Sequence, residues 1–412
     1  MATRRESFVK RRRALGFSQE SLADAVGVDR STVGRWETGE TEPQPLHRPG
    51  LCRELRVSAA QLESMIAIPA ELTPPHAVPA TLSKSVRSEC DDEIEAFELA
   101  RRVVASDVGN ETLSRLEGVF HDLATKYSSS PPEDLIERVR RYSGYVRQLL
   151  DAKKTLAEHR RLLVLGGWFS LLGATLHIDL DQEDAAAARL RTAMTLAQHA
   201  GHSEIQAWCL ETDAWRVLTN GGYLRAAELS KAAQALAPKG SSVEIQATAQ
   251  EGRAYARLGA PKETYDAIGR VHDLVCPMRF PEHPQHHYQY DPAKSVSYTA
   301  TTLAWVGDPA AEGYAREVIS RLAPSGDVSR WPRRVASANI DLALSLIASD
   351  RLDEACSAAQ NAILSGRVVP SNHWRALEIV RKTEDRGISN ARELREAYED
   401  MRSARGPAQR VT

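Results

Sequence analysis

Residues 18–39, SQESLADAVGVDRSTVGRWETG, predict two short helices joined by a tight turn. Ser18 is a favourable N-cap for the first helix, and Gly27 stands where that helix ends and the chain turns. A second helix then starts near Asp29 and stops at Gly39. The residues predicted to face inward are Leu22, Ala23 and Val26 in the first helix and Val33 and Trp36 in the second.

The outer face of the second helix carries Arg30, Ser31, Thr32 and Arg35. All four side chains donate hydrogen bonds, and two of them are cationic. Such side chains contact phosphates and read base edges in the major groove of DNA. The stretch therefore predicts a DNA-binding helix-turn-helix.

The sequence around this motif resembles the lambda-repressor-like (Xre/Cro) DNA-binding family over residues 4–66. Phe8, Arg12 and Leu15 indicate a preceding helix. Two closing helices are indicated by Pro43, Leu46, Leu51, Leu55, Val57, Leu62 and Ile66. The resemblance implies a five-helix DNA-binding domain, which we predict to span residues 1–68, with a fourth helix that starts more stiffly, after Pro43 and Pro45, than in many relatives.

The resemblance also implies roles for individual residues. In the family the recognition helix enters the groove, which assigns base edges to Arg30, Ser31 and Arg35 and a phosphate to Thr32. The start of the preceding helix contacts backbone and base in the family, and Gln19 holds that position here.

Charge is concentrated at the same end of the chain. Residues 1–60 hold eleven Lys/Arg and eight Asp/Glu, a net charge of +3, against −5 for the remainder. A basic module on an acidic body suits DNA binding at one place, although a solvated charged helix has the same composition. The basic cluster is Arg4, Arg5, Lys10, Arg11 and Arg13, and we include Arg11 among the predicted DNA contacts. Arg12 is excluded because, with Glu37, it matches a structural salt bridge of the relatives.

Length and composition bound the class of protein. The chain has 412 residues, 42% of them apolar, which suggests roughly two to three domains. Its five cysteines are scattered without a Cys-x-x-Cys pair, so no zinc finger is indicated and a reducing cytoplasm is expected. The most apolar run, residues 162–178, includes three glycines and a histidine and is shorter than the roughly 20 residues of a membrane span. We predict a buried helix there and no membrane contact.

The remainder of the chain reads as helix. Residues 69–90 hold four prolines among small and polar residues and predict a linker. Beyond it, an irregular repeat of helix, turn and alanine-rich helix has turns at Asp181, Gly222, Gly259, Gly307 and Asp350, spaced by 41, 37, 48 and 43 residues. Tetratricopeptide repeats have a period of about 34 residues. The pattern predicts an all-α fold with a tetratricopeptide-like α-solenoid over residues 91–412.

The whole arrangement is similar to bacterial regulators that join an N-terminal Xre helix-turn-helix to a C-terminal tetratricopeptide-like sensor. Peptide-responsive regulators of the RRNPP type share that plan. Large helix-turn-helix proteins of antibiotic-producing actinobacteria resemble the chain in residues 207–215, 249–253, 330–335 and 369–376. The resemblance implies that the C-terminal domain dimerises, senses a peptide or small ligand, or does both.

An insertion at 276–292, CPMRFPEHPQHHYQYDP, makes one repeat longer than the others. One interpretation is a metal site built from His283, His286, His287 and Asp291. A second is a ligand-binding lip over the concave surface, and a third, which we favour, is a packed structural loop. We therefore predict no metal.

Candidate ligand-binding residues come from this loop and the repeats. The tryptophans of the repeat region are expected in its core, with the alternative that some line the groove. Arg333 and Arg334, beside Trp331, are suited to an anionic effector or to an acid of the next repeat. The candidate set is His287, Tyr288, Trp305, Arg334 and Asn339.

No nucleophile elbow, phosphate loop or HExxH motif is present, so we predict no enzyme and no cofactor. The favoured function is a cytoplasmic, nucleoid-associated transcriptional regulator that binds double-stranded DNA sequence-specifically. We expect a homodimer on a palindromic operator and a peptide or small-molecule effector. Two alternatives are a protein-interaction scaffold that the helix-turn-helix localises, and a hydrolase or nuclease with a metal in the loop.

Overall fold

The computed structural model describes residues 5–44, 47–66, 106–323, 331–388 and 390–403. The predicted linker, residues 69–90, lies outside these ranges. Contacts between Cα atoms divide the chain into two compact units, Met1–Asp91 and Asp92–Thr412. The described residues form nineteen α-helices and no strand, which confirms the predicted all-α fold.

The N-terminal unit contains the five predicted helices. They are α1 (Glu6–Ala14), α2 (Gln19–Val26), α3 (Arg30–Thr38), α4 (Arg48–Glu54) and α5 (Ala59–Ile66). One hydrophobic core joins them, and it contains most of the residues that the sequence pattern places inside: Phe8, Leu22, Ala23, Val33, Trp36, Leu51, Leu55, Leu62 and Ile66.

Local backbone chemistry sets the bounds of α2 and α3. The Ser18 hydroxyl accepts from the backbone N–H of Ser21, and the Ser21 hydroxyl accepts from the N–H of Ser18, which forms a capping box. Gly27 and Gly39 end the two helices at φ values of 71° and 76°. A side chain strains the backbone in this left-handed region, so glycine is favoured at both stops.

The C-terminal unit contains fourteen of the described helices. Its first half comprises α6 (Asn110–Lys126), α7 (Pro132–Asp151), α8 (Leu156–Asp179), α9 (Glu183–Ala200), α10 (Ser203–Thr219), α11 (Tyr223–Leu236) and α12 (Ser242–Leu258). The second half comprises α13 (Pro261–Val275), α14 (Pro292–Val306), α15 (Ala311–Leu322), α16 (Pro332–Ala348), α17 (Leu352–Leu364), α18 (His373–Asp385) and α19 (Ala391–Ser403).

Five of the turns within helix pairs coincide with the predicted repeat. The residues with positive φ are Asp181 (58°), Gly221 (82°), Gly259 (68°), Gly307 (83°) and Asp350 (60°). Each lies between the first and second helix of a pair, from α8–α9 to α16–α17. The second turn residue is Gly221, one position before the predicted Gly222, and the other four lie at the predicted positions. The helical-repeat architecture is therefore confirmed, and aspartate replaces glycine at two turns because its short side chain tolerates this conformation.

The first helix of a pair is more deeply buried than the second. In α12, 12 of 17 residues are buried, whereas α13 buries only Thr264, Ala267 and Val271. The two helices approach closely where Gly252 faces Ala267, since a Cβ added to Gly252 would lie 3.1 Å from the Cβ of Ala267. The first helices thus form an inner layer, and their polar side chains end up inside the unit.

Among the described residues, one helix, Leu156–Asp179, is long and apolar enough to cross a membrane. Its most apolar window is 83% buried among the neighbouring helices. This is the pattern of a core helix, as the sequence predicts for residues 162–178.

Candidate nucleic-acid interface and inner cavity

Helix α3 has one buried and one exposed face. Val33 and Trp36 are 0% and 2% exposed and hold the helix to the core. Arg30, Ser31 and Arg35 are exposed on the other side, and Arg35 Nε lies 3.4 Å from the Ser31 carbonyl oxygen. The exposed face presents two cations and a hydroxyl from a helix fixed by its core side chains. This is suitable chemistry for duplex DNA, and the individual contacts stay a prediction.

A buried ion pair connects α3 to the two helices before it. Arg12 Nε donates to Glu37 Oε1 at 2.6 Å, and Gln19 Nε2 donates to Glu37 Oε2 at 2.6 Å. Arg12 also donates to the Phe17 carbonyl oxygen at 2.6 Å. Glu37 therefore joins α1, the start of α2 and the end of α3, and it orients the predicted DNA contact Gln19.

The two remaining predicted DNA contacts, Thr32 and Arg11, lie in different surroundings. Thr32 is partly exposed on α3. Arg11 lies on α1, where its Nε and Nη2 donate to the carbonyl oxygens of Leu55 and Arg56, each at 2.8 Å. These bonds engage the guanidinium at the end of α4. They favour a structural role for Arg11 over the predicted DNA contact.

The C-terminal unit contains a cavity of about 240 Å³. The first helices of successive pairs, α8, α10, α12, α14, α16 and α18, supply most of its wall. Six aromatic and six cationic side chains line it, against three carboxyl-bearing ones. The cations are Arg253, Lys294, Arg333, Arg334, Arg367 and Arg375, and the carboxyl groups are Asp179, Glu211 and Asp341.

Ion pairs between distant helices organise part of this wall. Arg333 Nη1 donates to Asp179 Oδ2 at 2.7 Å. Arg375 donates to Asp341, which also accepts from the Thr301 hydroxyl at 2.6 Å. Burial raises the pKa of Asp179 and Asp341 even though arginines face both groups. The two carboxylates therefore depend on their partners for the charged form.

A third set of charges lies around Glu211, which Gln246 Nε2 contacts at 3.2 Å. Burial raises the pKa of Glu211, while Arg253 and Lys294 act in the opposite direction. Burial, reinforced by the positive charge of Arg334, lowers the pKa of Lys294 to about 7. Lys294 Nζ donates to the carbonyl oxygens of His287 at 3.3 Å and Gln289 at 2.9 Å.

The cavity brings together three of the five candidate ligand residues, His287, Trp305 and Arg334. Tyr288 does not line it: the side chain is 4% exposed, and its ring packs among Phe120, Trp168 and Trp208 with centroids 5.0 to 5.9 Å apart. Asn339 does not line it either, and its Nδ2 donates to the Val335 carbonyl oxygen, 3.0 Å away in its own helix.

The insertion at 276–292 packs against the first helices of the unit. The backbone N–H of His287 donates to the Ala124 carbonyl oxygen at 3.0 Å. Asp291 caps α14 and accepts from Arg334 at 3.2 Å. Within the described ranges, no three His, Cys, Asp or Glu residues are arranged to hold a metal ion. Asp291 is already engaged with Arg334 and with the first turn of α14.

Sequence reasoning missed the residues that give the cavity its charge, above all Arg253, Lys294 and Glu211. A usable signal existed, because α12 carries Gln246, Gln250 and Arg253 on an alanine-containing helix whose residues are mostly buried. Polar side chains on a deeply buried helix are unusual unless they have a partner or a ligand.

Comparisons with known proteins agree with the N-terminal geometry. Residues 9–62 match the helix-turn-helix family, and no curated protein matches the chain. Among solved structures the chain is similar to PlcR of Bacillus thuringiensis, crystallised with the peptide PapR7 and DNA. The identity is 11%, the alignment covers 67% of this chain and 95% of that one, and the TM-score is 0.28, too low to carry an argument about function. Residues 9–62 therefore form a helix-turn-helix domain of the lambda-repressor-like (Xre) type, as the sequence predicted.

Proposed function

We propose that this protein is a sequence-specific DNA-binding transcriptional regulator whose helical-repeat unit senses an effector. One observation carries the DNA-binding part: α3 is anchored by Val33 and Trp36 and exposes Arg30, Ser31 and Arg35. A fixed helix with outward-facing donors is what direct readout in the major groove requires.

One such domain reads a short half-site and buries roughly 600–1,000 Å². Binding by one domain alone is weak and strongly dependent on salt. We therefore propose a homodimer that places two α3 helices on a palindrome with half-sites about 34 Å apart.

The test begins with genome-wide footprinting, which identifies a bound site. Affinity for that site is then measured by fluorescence anisotropy for Arg30→Ala and Arg35→Ala. Each substitution is expected to weaken binding about 5- to 150-fold, since a bidentate arginine–base contact contributes about 1–3 kcal/mol.

Arg115→Ala is the matched control. Arg115 is an exposed arginine of α6 in the other unit and pairs with Glu111. The Arg115→Ala substitution removes the same charge, and we expect this variant to bind the DNA site with wild-type affinity. Wild-type affinity in Arg30→Ala and Arg35→Ala would refute the assignment of the recognition helix.

Effector sensing is supported by the charged cavity inside the repeat unit. A ligand changes DNA affinity only if it binds the DNA-competent and incompetent states with different affinities. Titrating effector at several DNA concentrations measures this coupling, which must be reciprocal.

A further inference from the structure

Several residues of the cavity wall carry buried donors without a partner. Within the described part of the chain, no hydrogen-bond partner is found for Nε of Arg253 and Arg375, Nε1 of Trp208 and Trp374, and Oγ of Ser297. Four of these five groups can only donate. Trp208 and Arg375 are 2% and 6% exposed, so bulk water does not substitute for a partner. This part of the wall therefore carries more hydrogen-bond donors than it has acceptors for.

The charges of the wall point the same way. Asp179 and Asp341 are already bonded to arginines. Arg253 and Lys294 make no ion pair with any described carboxylate; Arg253 lies 4.5 Å from the centre of the Tyr298 ring. Two of the three Lys294 N–H groups have backbone partners, which leaves one for a ligand. Both side chains are half-buried, and an anion between them would form charge-assisted hydrogen bonds with both.

Glu211 is a carboxyl group of the cavity wall that interacts electrostatically with both cations. Its Oε1 accepts from Gln246, and burial raises its pKa, which reduces its repulsion of an incoming anion. Aromatic side chains such as Trp215, Trp305 and Tyr298 supply apolar wall beside the charged region. The cavity volume, about 240 Å³, lies just below the roughly 300–1,000 Å³ of sites for drug-sized ligands, which favours a compact ligand over an extended peptide.

We propose that the cavity binds a small organic acid, with its carboxylate at Arg253 and Lys294 and its apolar body against the aromatic wall. This inference rests on the proposed function, because it names the chemical class of the effector that the repeat unit senses. Recognition depends on the negative charge, so the neutral amide of the same acid should bind poorly.

The test compares 4-phenylbutyrate with 4-phenylbutyramide on the full chain, by tryptophan fluorescence and calorimetry. The two compounds differ in the charge of one group and share an apolar body. We expect the acid to bind at least about tenfold more tightly than the amide, as a charge-assisted hydrogen bond implies. Equal affinities, or no saturable binding of either compound, would overturn the proposal.

Two variants locate the binding site. Arg253→Met and Lys294→Met should each lower the affinity for the acid about tenfold or more and leave that for the amide unchanged. The control is Lys262→Met, which removes an exposed lysine of α13 outside the cavity. Circular dichroism shows whether each variant folds. If Arg253→Met does not fold, the proposal is tested by Lys294→Met and by the ratio of acid to amide affinity of the wild-type protein. Unchanged acid affinity in the folded variants would overturn the assignment.

A short peptide with a free C-terminus forms a further arm, since its carboxylate has the same chemistry. Tighter binding of the peptide than of the acid would overturn the choice of a small ligand. DNA binding is measured on the same preparations, so the two proposals fail separately. Acid binding without DNA binding refutes the regulator and leaves the cavity site, whereas DNA binding with equal acid and amide affinities refutes the cavity site alone.

Discussion

Removing the Glu37 carboxylate should destabilise the N-terminal unit severely. The carboxylate accepts from Arg12 and Gln19, both at 2.6 Å, and the side chains of Arg12 and Glu37 are 6% and 3% exposed. In Glu37→Leu the Arg12 guanidinium stays buried with the Phe17 carbonyl oxygen as a remaining acceptor. A buried charge left in this way costs about 3–5 kcal/mol.

That loss is comparable to the whole stability of a domain of this size. A five-helix domain of about 60 residues is expected to have a free energy of unfolding of roughly 3–9 kcal/mol. The population of the unfolded N-terminal unit should therefore rise by roughly 150- to 5,000-fold in Glu37→Leu. Arg12→Met combined with Glu37→Leu removes both charges, so the double variant should recover at least about 1 kcal/mol of the loss.

Hydrogen exchange of the full chain, followed by mass spectrometry of peptides from α1–α5, measures this population without separating the units. The C-terminal peptides serve as an internal control and should exchange as in the wild type. A loss below about 1 kcal/mol in Glu37→Leu, or strict additivity of the two substitutions, would show that the buried pair does not stabilise the unit as argued.

Three further predictions concern stability. Gly27→Ala should destabilise the N-terminal unit by about 1 kcal/mol because φ is 71° there. Gly34→Ala should stabilise the unit by about 0.5–1 kcal/mol, because Gly34 lies in helical backbone and a Cβ added there meets no other atom. Urea unfolding compares the two variants, and equal effects would contradict the backbone argument. Burial lowers the pKa of His286 to about 4, below its value of 6.5 in the unfolded chain. The free energy of unfolding should therefore fall by at most about 3 kcal/mol as pH decreases from about 6.5 to about 4. His286→Leu should remove this part of the pH dependence in urea titrations, and an unchanged dependence of stability on pH would contradict the prediction. Burial likewise lowers the pKa of Lys294 to about 7, from about 10.5 in the unfolded chain. The free energy of unfolding should therefore rise by at most about 5 kcal/mol between these two pH values. Lys294→Met should flatten that rise in thermal unfolding, and a rise that persists in the variant would show that Lys294 is not its source.

The features that the sequence predicted well are local. Ser18 caps α2 through a bond to a residue three positions away, and Gly27 ends the helix through its own backbone angle. The repeat turns at Asp181, Gly259 and Asp350 are likewise set by single residues that accept a left-handed conformation. Such signals act over a few residues and can be read without knowing what packs against them.

Contacts between distant segments were beyond this reasoning. The basic cluster suggested DNA for Arg11, but its guanidinium meets the end of a helix more than forty residues away. Tyr288 looked like a ligand residue in an unusual loop, and packing against α6 and α8 places it in an aromatic core. Composition indicates what a side chain can do, and its neighbours decide whether it is free to do it.

The order of amino acids alone determined the helix-turn-helix, the all-α class and the repeat, because capping, helical periodicity and left-handed turns are properties of short stretches of chain. Only the tertiary structure decided which charges meet. Arg253, Lys294 and Glu211 lie on three different helices, and they share one cavity because stacked helix pairs turn their first helices inward. Electrostatic and hydrogen-bond energies depend on distance and burial, and both arise only after the pairs have stacked.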